Sequence, residues 1–363
     1  MRWAKILFVQ AVLAIALAEV ALHIYNPLPA RVRGDRIVLP VHRRYRFHNA
    51  RASKLEPVTT HTKNSLGFRG PEPPTDFAHR LTLLTIGGST TECLFLSDGK
   101  TWTDVMARRL QTSLPDLWVN NAGLDGQSTY GHLHLLRDFV EGLHPRGVVF
   151  LFGVNDLGLA SGNPYDGRLT PSSSPLDVAV VFLRNHSELV DLAHSVFRVS
   201  HATNAIFAHN IVDVKNHPHL QDDAATTEAT IARYSSALPA FRSRVASIID
   251  ECRSHGIEPI FVTQPGLYGE GVDPATGVDL STLQVEGPIN ARLWWRVQEL
   301  YNDVTRSTAR ERGVTLVDAA RELPKDSRLF YDFMHFTNAG ADQLGELIAK
   351  DIEPRLRNLS QKS

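Results

Sequence analysis

Leu81-Thr82-Leu83-Leu84-Thr85-Ile86-Gly87-Gly88-Ser89-Thr90-Thr91-Glu92 is the stretch on which the reading of the chain turns. Its first six residues are of strand type, and two glycines follow that permit a tight turn. Ser89 then stands at the start of the next helical segment, at the edge of whatever sheet the strand joins. The same alternation continues downstream. Strand-type runs at Leu117–Asn120, Val148–Phe152, Ile257–Thr263 and Val314–Val317 are separated by segments of helical period near Lys100–Leu110, Ser128–Val140, Pro239–Cys252, Ile289–Val304 and Asn338–Ile352.

Spacing carries the helical assignments. Trp102/Val105/Met106/Leu110, Phe241/Val245/Ile248/Cys252, Ile289/Leu293/Val297/Leu300/Val304 and Leu344/Leu347/Ile348/Ile352 each form one apolar stripe, and Gly256 stands where a helix ends. Five strands alternating with helices predict a parallel sheet covered on both faces, a three-layer α/β/α sandwich. Such sheets bind ligands at the carboxyl ends of their strands.

Composition sets outer limits. The 363 residues are 43% apolar and 21% charged, with 38 Lys+Arg against 39 Asp+Glu. That balance excludes a disordered chain, a collagenous fibre and a basic nucleic-acid binder. Cys93 and Cys252 cannot build a disulfide framework, and no Cys/His spacing suggests structural zinc.

The N-terminus stands apart. After Met1-Arg2-Trp3-Ala4-Lys5, the run Ile6–Ile24 is apolar except for Gln10, Glu19 and His23, and Pro27 and Pro29 close it. Ala16-Leu17-Ala18 before Glu19 has the small-x-small form of a signal-peptidase site, so residues 1–25 read as a signal peptide cleaved after Ala18 or as a retained anchor. Arg31, Arg33, Arg36, Arg43 and Arg44 outnumber Arg2 and Lys5, against an outward orientation, although long C-terminal domains translocate regardless. The expected location is membrane-anchored with the main domain extracytoplasmic (periplasmic or cell-surface), or secreted if cleaved. Residues 26–79 read as a linker and N-terminal arm, with Arg36-Ile37-Val38-Leu39 extended and Asn64-Ser65-Leu66-Gly67-Phe68-Arg69-Gly70 punctuated by glycine.

The strand ends offer polar groups in sequence: Ser89 after the first strand, Asn121 to Ser128 with Gly126 after the second, Asn155-Asp156 after the third, and Asp332-Phe333-Met334-His335 beyond the fifth. Only the last supplies an acid and a base together. These four blocks, in this order, resemble the SGNH hydrolases, also called GDSL-type esterases and lipases. The family's Ser, Gly, Asn and His map onto Ser89, Gly126, Asn155 and His335, with Asp332 at its Asp-x-x-His position. The resemblance spans roughly 81 to 352. The Asn64–Gly70 block and the preceding anchor look like bacterial membrane-anchored members. Gly88 replaces the Asp and Thr90 the Leu of Gly-Asp-Ser-Leu, as in a Gly-Gly-Ser-Thr subgroup. The resemblance implies a flavodoxin-like SGNH hydrolase fold over residues 80–355, with an insertion at about 157–238.

The chemistry follows from the residues. A serine hydroxyl needs a base within hydrogen-bond reach, and His335 is that candidate, with Asp332 to fix its tautomer and stabilise the imidazolium. Negative charge on the attacked carbonyl calls for donors, namely the Ser89 and Gly126 amides and the Asn155 side chain. Each residue also has a plainer reading: Ser89 or Thr90 as a helix cap, Asn155-Asp156 as an Asx turn, Gly126 as a turn glycine, and Asp332 with His335 as a surface pair beside Thr337 capping the last helix. Asp156 and Glu92 read as structural, and Ser128 as a cap.

The insertion predicts one amphipathic helix carrying Val178, Phe182, Leu189, Leu192 and Val196 on a single face, followed by an irregular His201–His219 stretch, and either shapes the pocket or packs away from it. His209, His217 and His219 lack carboxylate or Cys partners at ligand spacing, so no metal and no cofactor are expected. Of Trp294 and Trp295, one suits the core and the other a sugar-stacking role. The expected function is an ester hydrolase acting through an acyl-enzyme on an extracytoplasmic substrate such as an O-acylated glycan or a lipid. An O-acyltransferase with the same triad and a non-catalytic glycan-binding protein are the alternatives. Expected partners are an ester substrate and the membrane through the N-terminal helix, not nucleic acid.

Overall fold

The computed structural model describes residues 2–26, 32–49, 53–160, 166, 174–200 and 209–361. The chain divides into two compact units, Met1–Pro40 with Arg168–Ala208, and Val41–Gly167 with His209–Ser363. Residues 26–79 thus divide between the units at 40/41. Parts of the expected insertion, at 161–165, 167–173 and 201–208, lie outside the described residues, as does the start of the His201–His219 stretch.

The larger unit is built on five parallel strands, β1 (Thr82–Gly87), β2 (Trp118–Asn121), β3 (Gly147–Leu151), β4 (Glu258–Val262) and β5 (Thr315–Val317), in the order β5-β4-β3-β1-β2. Every residue of β1, β2 and β3 is buried, as the near-continuous apolar runs of a sheet covered on both faces require. The chain steps from β1 outward to β2 and then crosses back to β3, so the strand order reverses between β1 and β3. Thr85 of β1 pairs with Asn121 on one side and Val149 on the other, and Gly87 pairs with Leu151. In open α/β sheets the ligand crevice lies at the carboxyl ends of the two strands that flank such a reversal. Ser89 and Asn155 follow them.

Helices Trp102–Gln111 and Val105's partner Asn338–Ser360 pack together on one face, and Thr129–Leu135, Leu238–Ser254 and Ala291–Arg312 on the other. The expected stripes are inside: Trp102, Met106, Leu110, Phe241, Val245, Ile248 and Cys252 are fully buried. Each such side chain contributes about 1.5–3 kcal/mol of transfer free energy. Two boundaries differ from the sequence reading. Ile289 lies in a two-residue strand, Ile289–Asn290, because the Asn290 side chain accepts the Leu293 N–H at 2.9 Å and starts the helix at Ala291. The buried face of that helix accordingly runs through Leu293, Trp294, Val297 and Tyr301, leaving Leu300 half-buried. The last helix continues past Pro354 to Ser360, held by fully buried Leu356 despite the amide that proline lacks.

Before β1, strands Arg43–His48 and Val58–Lys63 form an antiparallel hairpin in which Tyr45 faces His61. The loop after it is closed by Asn64, whose Oδ1 accepts the Leu66 and Phe68 amides while its Nδ2 donates to Asn120 of β2 at 2.8 Å.

The smaller unit contains helix Arg2–Ile24, long and apolar enough to cross a membrane and unburied along that window. A short hairpin, Val32–Arg33 with Arg36–Ile37, follows. The single amphipathic helix expected near Val178–Val196 is instead two, Pro175–His186 and Glu188–Ser200. Ser187 breaks it: its backbone is extended and its Oγ accepts the Val190 N–H, capping the second helix. Val178, Phe182 and Val196 are exposed rather than turned into a core.

Candidate active site

Strand β1 ends in a turn of unusual closeness. A Cβ on Gly87 would lie 2.5 Å from the Leu151 carbonyl, and one on Gly88 would lie 2.0 Å from Asn155 Nδ2 and 3.1 Å from the Gln127 carbonyl. Neither position admits a side chain without movement, which accounts for Gly88 where the family pattern has Asp. The turn releases Ser89 as the first residue of a short helix, Ser89–Glu92, with Gly88 as its N-cap and no side-chain cap. Ser89 and Thr90 therefore do not serve as the cap of that helix.

Ser89 Oγ lies 2.7 Å from His335 Nε2, and His335 Nδ1 lies 2.6 Å from Asp332 Oδ2. With Nδ1 protonated, that imidazole donates to the carboxylate and accepts the serine proton. Asp332 Oδ1 also accepts the Met334 and His335 amides at 2.8 and 2.7 Å, so the acid is held by the loop it belongs to. Burial opposes charge on Asp332, but His335 and the two amides outweigh it and hold the carboxyl below its ordinary range. All three side chains are buried, Ser89 with only 4% of its surface exposed.

Asn155, at the end of β3, donates through Nδ2 to the Gln127 carbonyl at 2.9 Å. An amide nitrogen carries two hydrogens, so one is left to point past Gly88. Gly126, half-exposed at φ +77°, directly precedes Gln127. The structure thus joins Ser89, His335 and Asp332 directly and brings Asn155 and the Gly126–Gln127 segment against the glycine that precedes the serine. Ser128 caps helix Thr129–Leu135 by accepting the Tyr130 N–H, and Thr337 caps the last helix. Asp156 accepts from Thr129 and from Arg244, and burial lifts its carboxyl to about 6 against those partners. Asp166 accepts the Ser128 and Gly131 amides. The loop carrying Gly126 is therefore fixed on its downstream side by two buried carboxylates.

On its upstream side it is fixed by a residue read from sequence only as structural. Glu92 accepts the Asp125 N–H at 2.6 Å and pairs with Lys63 at 3.1 Å, His61 standing 3.8 Å away, all within a buried cluster. Arg69, also buried, donates to the carbonyls of Glu92, Cys93 and Leu96 at 2.7, 2.8 and 2.9 Å and so closes the end of the helix that begins with Ser89. The glycine-punctuated Asn64–Gly70 block was the only signal of this; nothing in its spacing indicated where the guanidinium would go.

A second histidine completes the site. The ring of His209 lies 4.1 Å from that of His335, its Nδ1 is 2.6 Å from Tyr331 Oη, and its Nε2 is 3.7 Å from Asp125. Burial opposes charge on His209, but Asp125, Asp332 and Glu92 raise its pKa above the ordinary value. His217 bonds the Gln284 carbonyl and His219 the Thr282 hydroxyl, so the three histidines of that stretch are not gathered. Among the described residues, the group able to hold a metal ion is His209, Asp332 and His335, whose ligand atoms lie within 4.8 Å of one another; His335 is bonded to Asp332 and Ser89, and His209 joins them by ring packing against His335. Trp294 is core, and Trp295 carries the Lys325 ammonium over its ring at 3.2 Å.

A family model described as GDSL-like lipase/acylhydrolase matches residues 85–343. No curated protein matches the sequence. Similar solved structures include an acetyl xylan esterase at 14% identity, covering 74% of this chain and 98% of that one with a TM-score of 0.40. A catalytic mutant of an acetylxylan esterase from Geobacillus stearothermophilus is 16% identical, covering 75% and 93% with a TM-score of 0.43. TesA is 17% identical, covering 75% and 98% with a TM-score of 0.41.

Proposed function

The chain belongs to the GDSL-like lipase/acylhydrolase family and is a carboxylic ester hydrolase, and from that premise we propose that Ser89 is its nucleophile, His335 its general base and Asp332 the residue that orients the base. The observation that carries the reading is the unbroken pair of hydrogen bonds from Ser89 through His335 to Asp332, made by residues 246 positions apart in the chain. His335 Nε2 takes the hydroxyl proton as Oγ attacks the ester carbonyl. The oxyanion is received by the Ser89 and Gly126 amides and the free hydrogen of Asn155 Nδ2. His335 then returns the proton to the leaving alcohol, and water, activated by the same imidazole, releases the acid from the acyl-enzyme.

The burial of the triad suits a short acyl group whose alcohol carrier stays outside, such as an O-acylated glycan or a lipid headgroup. We read the N-terminal helix, long and apolar enough to cross a membrane, as a signal anchor or signal peptide that places the catalytic domain outside the cytoplasm. A fluorophosphonate probe tests the nucleophile: the wild type is labelled stoichiometrically and Ser89→Ala is not. Labelling of Ser89→Ala at the wild-type rate would remove Ser89 from the role.

A further inference from the structure

Large apolar side chains on a water-facing surface are ordinarily scattered. Here they are gathered. Among the described residues, every exposed large hydrophobic side chain except Val41 and Val272 belongs to the smaller unit. Part of that set is helix Arg2–Ile24. The remainder lies mainly on Pro175–His186 and Glu188–Ser200, where Leu176 is 73% exposed, Phe182 59% and Phe197 61%.

Helix Pro175–His186, of sequence Pro-Leu-Asp-Val-Ala-Val-Val-Phe-Leu-Arg-Asn-His, carries two charged residues, Asp177 and Arg184. Leu176 and Phe182 fall on different faces of it, so it is apolar around most of its circumference and yet uncovered. Helices of that kind are stable when buried in protein or in lipid. Twelve residues reach about 18 Å, well short of the roughly 30 Å of a hydrocarbon core, so this helix can lie in a bilayer interface but cannot span one.

Several charged groups of the unit are turned inward, while Asp177 and His186 at the two ends of helix 175–186 stay exposed, where headgroups and water can reach them. Arg184 and Asp191 are buried and paired at 2.9 Å, and Arg184 also donates to the Val32 carbonyl at 2.8 Å. Arg33 donates to the Arg184 carbonyl and to Glu188. Glu19, the one acid of the N-terminal helix, accepts the Ser187 hydroxyl and the Glu188 amide at the start of the second insertion helix. A carboxylate that would be costly on a lone spanning helix is thereby satisfied from within the unit. A buried Arg184–Asp191 pair under exposed apolar side chains is the arrangement that a hydrocarbon surrounding favours.

We propose that the two insertion helices, 175–186 and 188–200, form with helix 2–24 a single lipid-embedded module, with 175–186 lying in the acyl-chain boundary beneath the phospholipid headgroups. The occupant is committed to as lipid because the exposed face is continuous with a helix of membrane-crossing length in the same unit. The proposal requires helix 2–24 to be retained rather than cleaved after Ala18, and it stands independently of the serine hydrolase reading.

The full-length protein is reconstituted in vesicles of phosphatidylethanolamine and phosphatidylglycerol, with a single cysteine placed by Leu176→Cys, Phe182→Cys or, as control, Val272→Cys, and labelled with an environment-sensitive fluorophore. The native Cys93 and Cys252 are buried, and burial pushes the Cys93 thiol up to about 12, so they do not compete. Labels at 176 and 182 are quenched by phospholipids brominated near the glycerol end of the chain and protected from iodide; the label at 272 shows the reverse. Iodide quenching at 176 and 182 equal to that at 272 overturns the proposal. Protection from both quenchers also overturns it, because a second copy or another protein would then be the cover.

Discussion

Replacing Gly88 by alanine adds one carbon at a point where the structure leaves no room for it. The new Cβ would stand 2.0 Å from Asn155 Nδ2, against an ordinary contact of about 3.4 Å or more, so the amide must retreat by more than an ångström. The closest obstructing atom is the end of a side chain, which can swing, and the Gln127 carbonyl at 3.1 Å has to give only by a few tenths of an ångström. Folding therefore survives, while the 2.9 Å bond from Asn155 to the Gln127 carbonyl is lost and the donor leaves the oxyanion position. Loss of one preorganised donor costs about 3 kcal/mol of transition-state stabilisation, a rate factor of roughly a hundredfold or more. Steady-state hydrolysis of p-nitrophenyl acetate by Gly88→Ala, Asn155→Ala and the double variant measures this. Both single variants lose about two orders of magnitude in kcat, with the thermal midpoint little changed, and the double variant is no worse than either, because both remove the same hydrogen bond donor. Wild-type kcat in Gly88→Ala, or additive losses in the double variant, would refute the assignment of Asn155.

Asp332→Asn keeps the shape of the site but favours the wrong imidazole tautomer, and kcat for the same ester falls by about 10³–10⁴ while the variant unfolds as the wild type does. His209 faces Asp125, Asp332, Glu92, Tyr331 and His335, and because its pKa is raised it becomes charged at a pH above that of an ordinary histidine, next to the imidazolium that forms on His335. Activity of the wild type therefore declines as pH falls through that raised value, and His209→Gln moves the acid limb of kcat/KM to lower pH; superimposable profiles would exclude the coupling. Lys63→Met strands the buried carboxylate of Glu92 and destabilises the larger unit by about 3–5 kcal/mol, read from urea unfolding. Across p-nitrophenyl esters, kcat/KM is highest for acetyl and butyryl and falls steeply by lauroyl; a preference for lauroyl would contradict the short-acyl reading.

The sheet was legible because its signal is local. β1, β2 and β3 are short, wholly buried runs between turns, and no competing period obscures them. The helical faces were legible where a stripe alone faces the sheet, as in Trp102–Leu110, and less so in Ala291–Arg312, whose buried face includes Gln298, Asn302 and Arg306, polar residues that pattern reading assigns to the outside. Arg306 is buried because Glu299 and Asp303, two turns and one turn earlier on the same helix face, join Asp318 from beyond strand β5 around it, and an i, i+3 or i, i+7 ion pair reads from sequence as a solvated face. The break at Ser187 was missed because Ser is tolerated within helices and its capping geometry shows only in three dimensions. In the candidate site, the four strand-end blocks pointed to Ser89, Gly126, Asn155, Asp332 and His335. His209 was visible as a histidine but not as a neighbour of His335, because its approach depends on a chain path that no local pattern encodes.

The turn bearing Ser89 has no side-chain cap of its own and begins with two glycines, so its conformation must be imposed from outside. Two sources impose it. The β3 end supplies the Leu151 carbonyl and Asn155, against which Gly87 and Gly88 are packed without clearance. The arm upstream of the sheet supplies Arg69, which satisfies three carbonyls at the far end of the turn, and Lys63, which neutralises Glu92. Glu92 in turn holds the Asp125 amide and so couples the helix bearing Ser89 to the loop bearing Gly126. Ser89 and the Gly126 loop, which follow different strands, are thereby fixed to each other through one buried carboxylate in addition to the sheet. Rigid placement of this kind is what transition-state stabilisation by dipoles demands, since donors that must reorganise during the reaction lose most of their advantage. The hairpin at 43–63 is consequently part of what positions Ser89 against the Gly126 loop, and so of what the proposed mechanism relies on, although among the described residues none of its side chains reaches the triad.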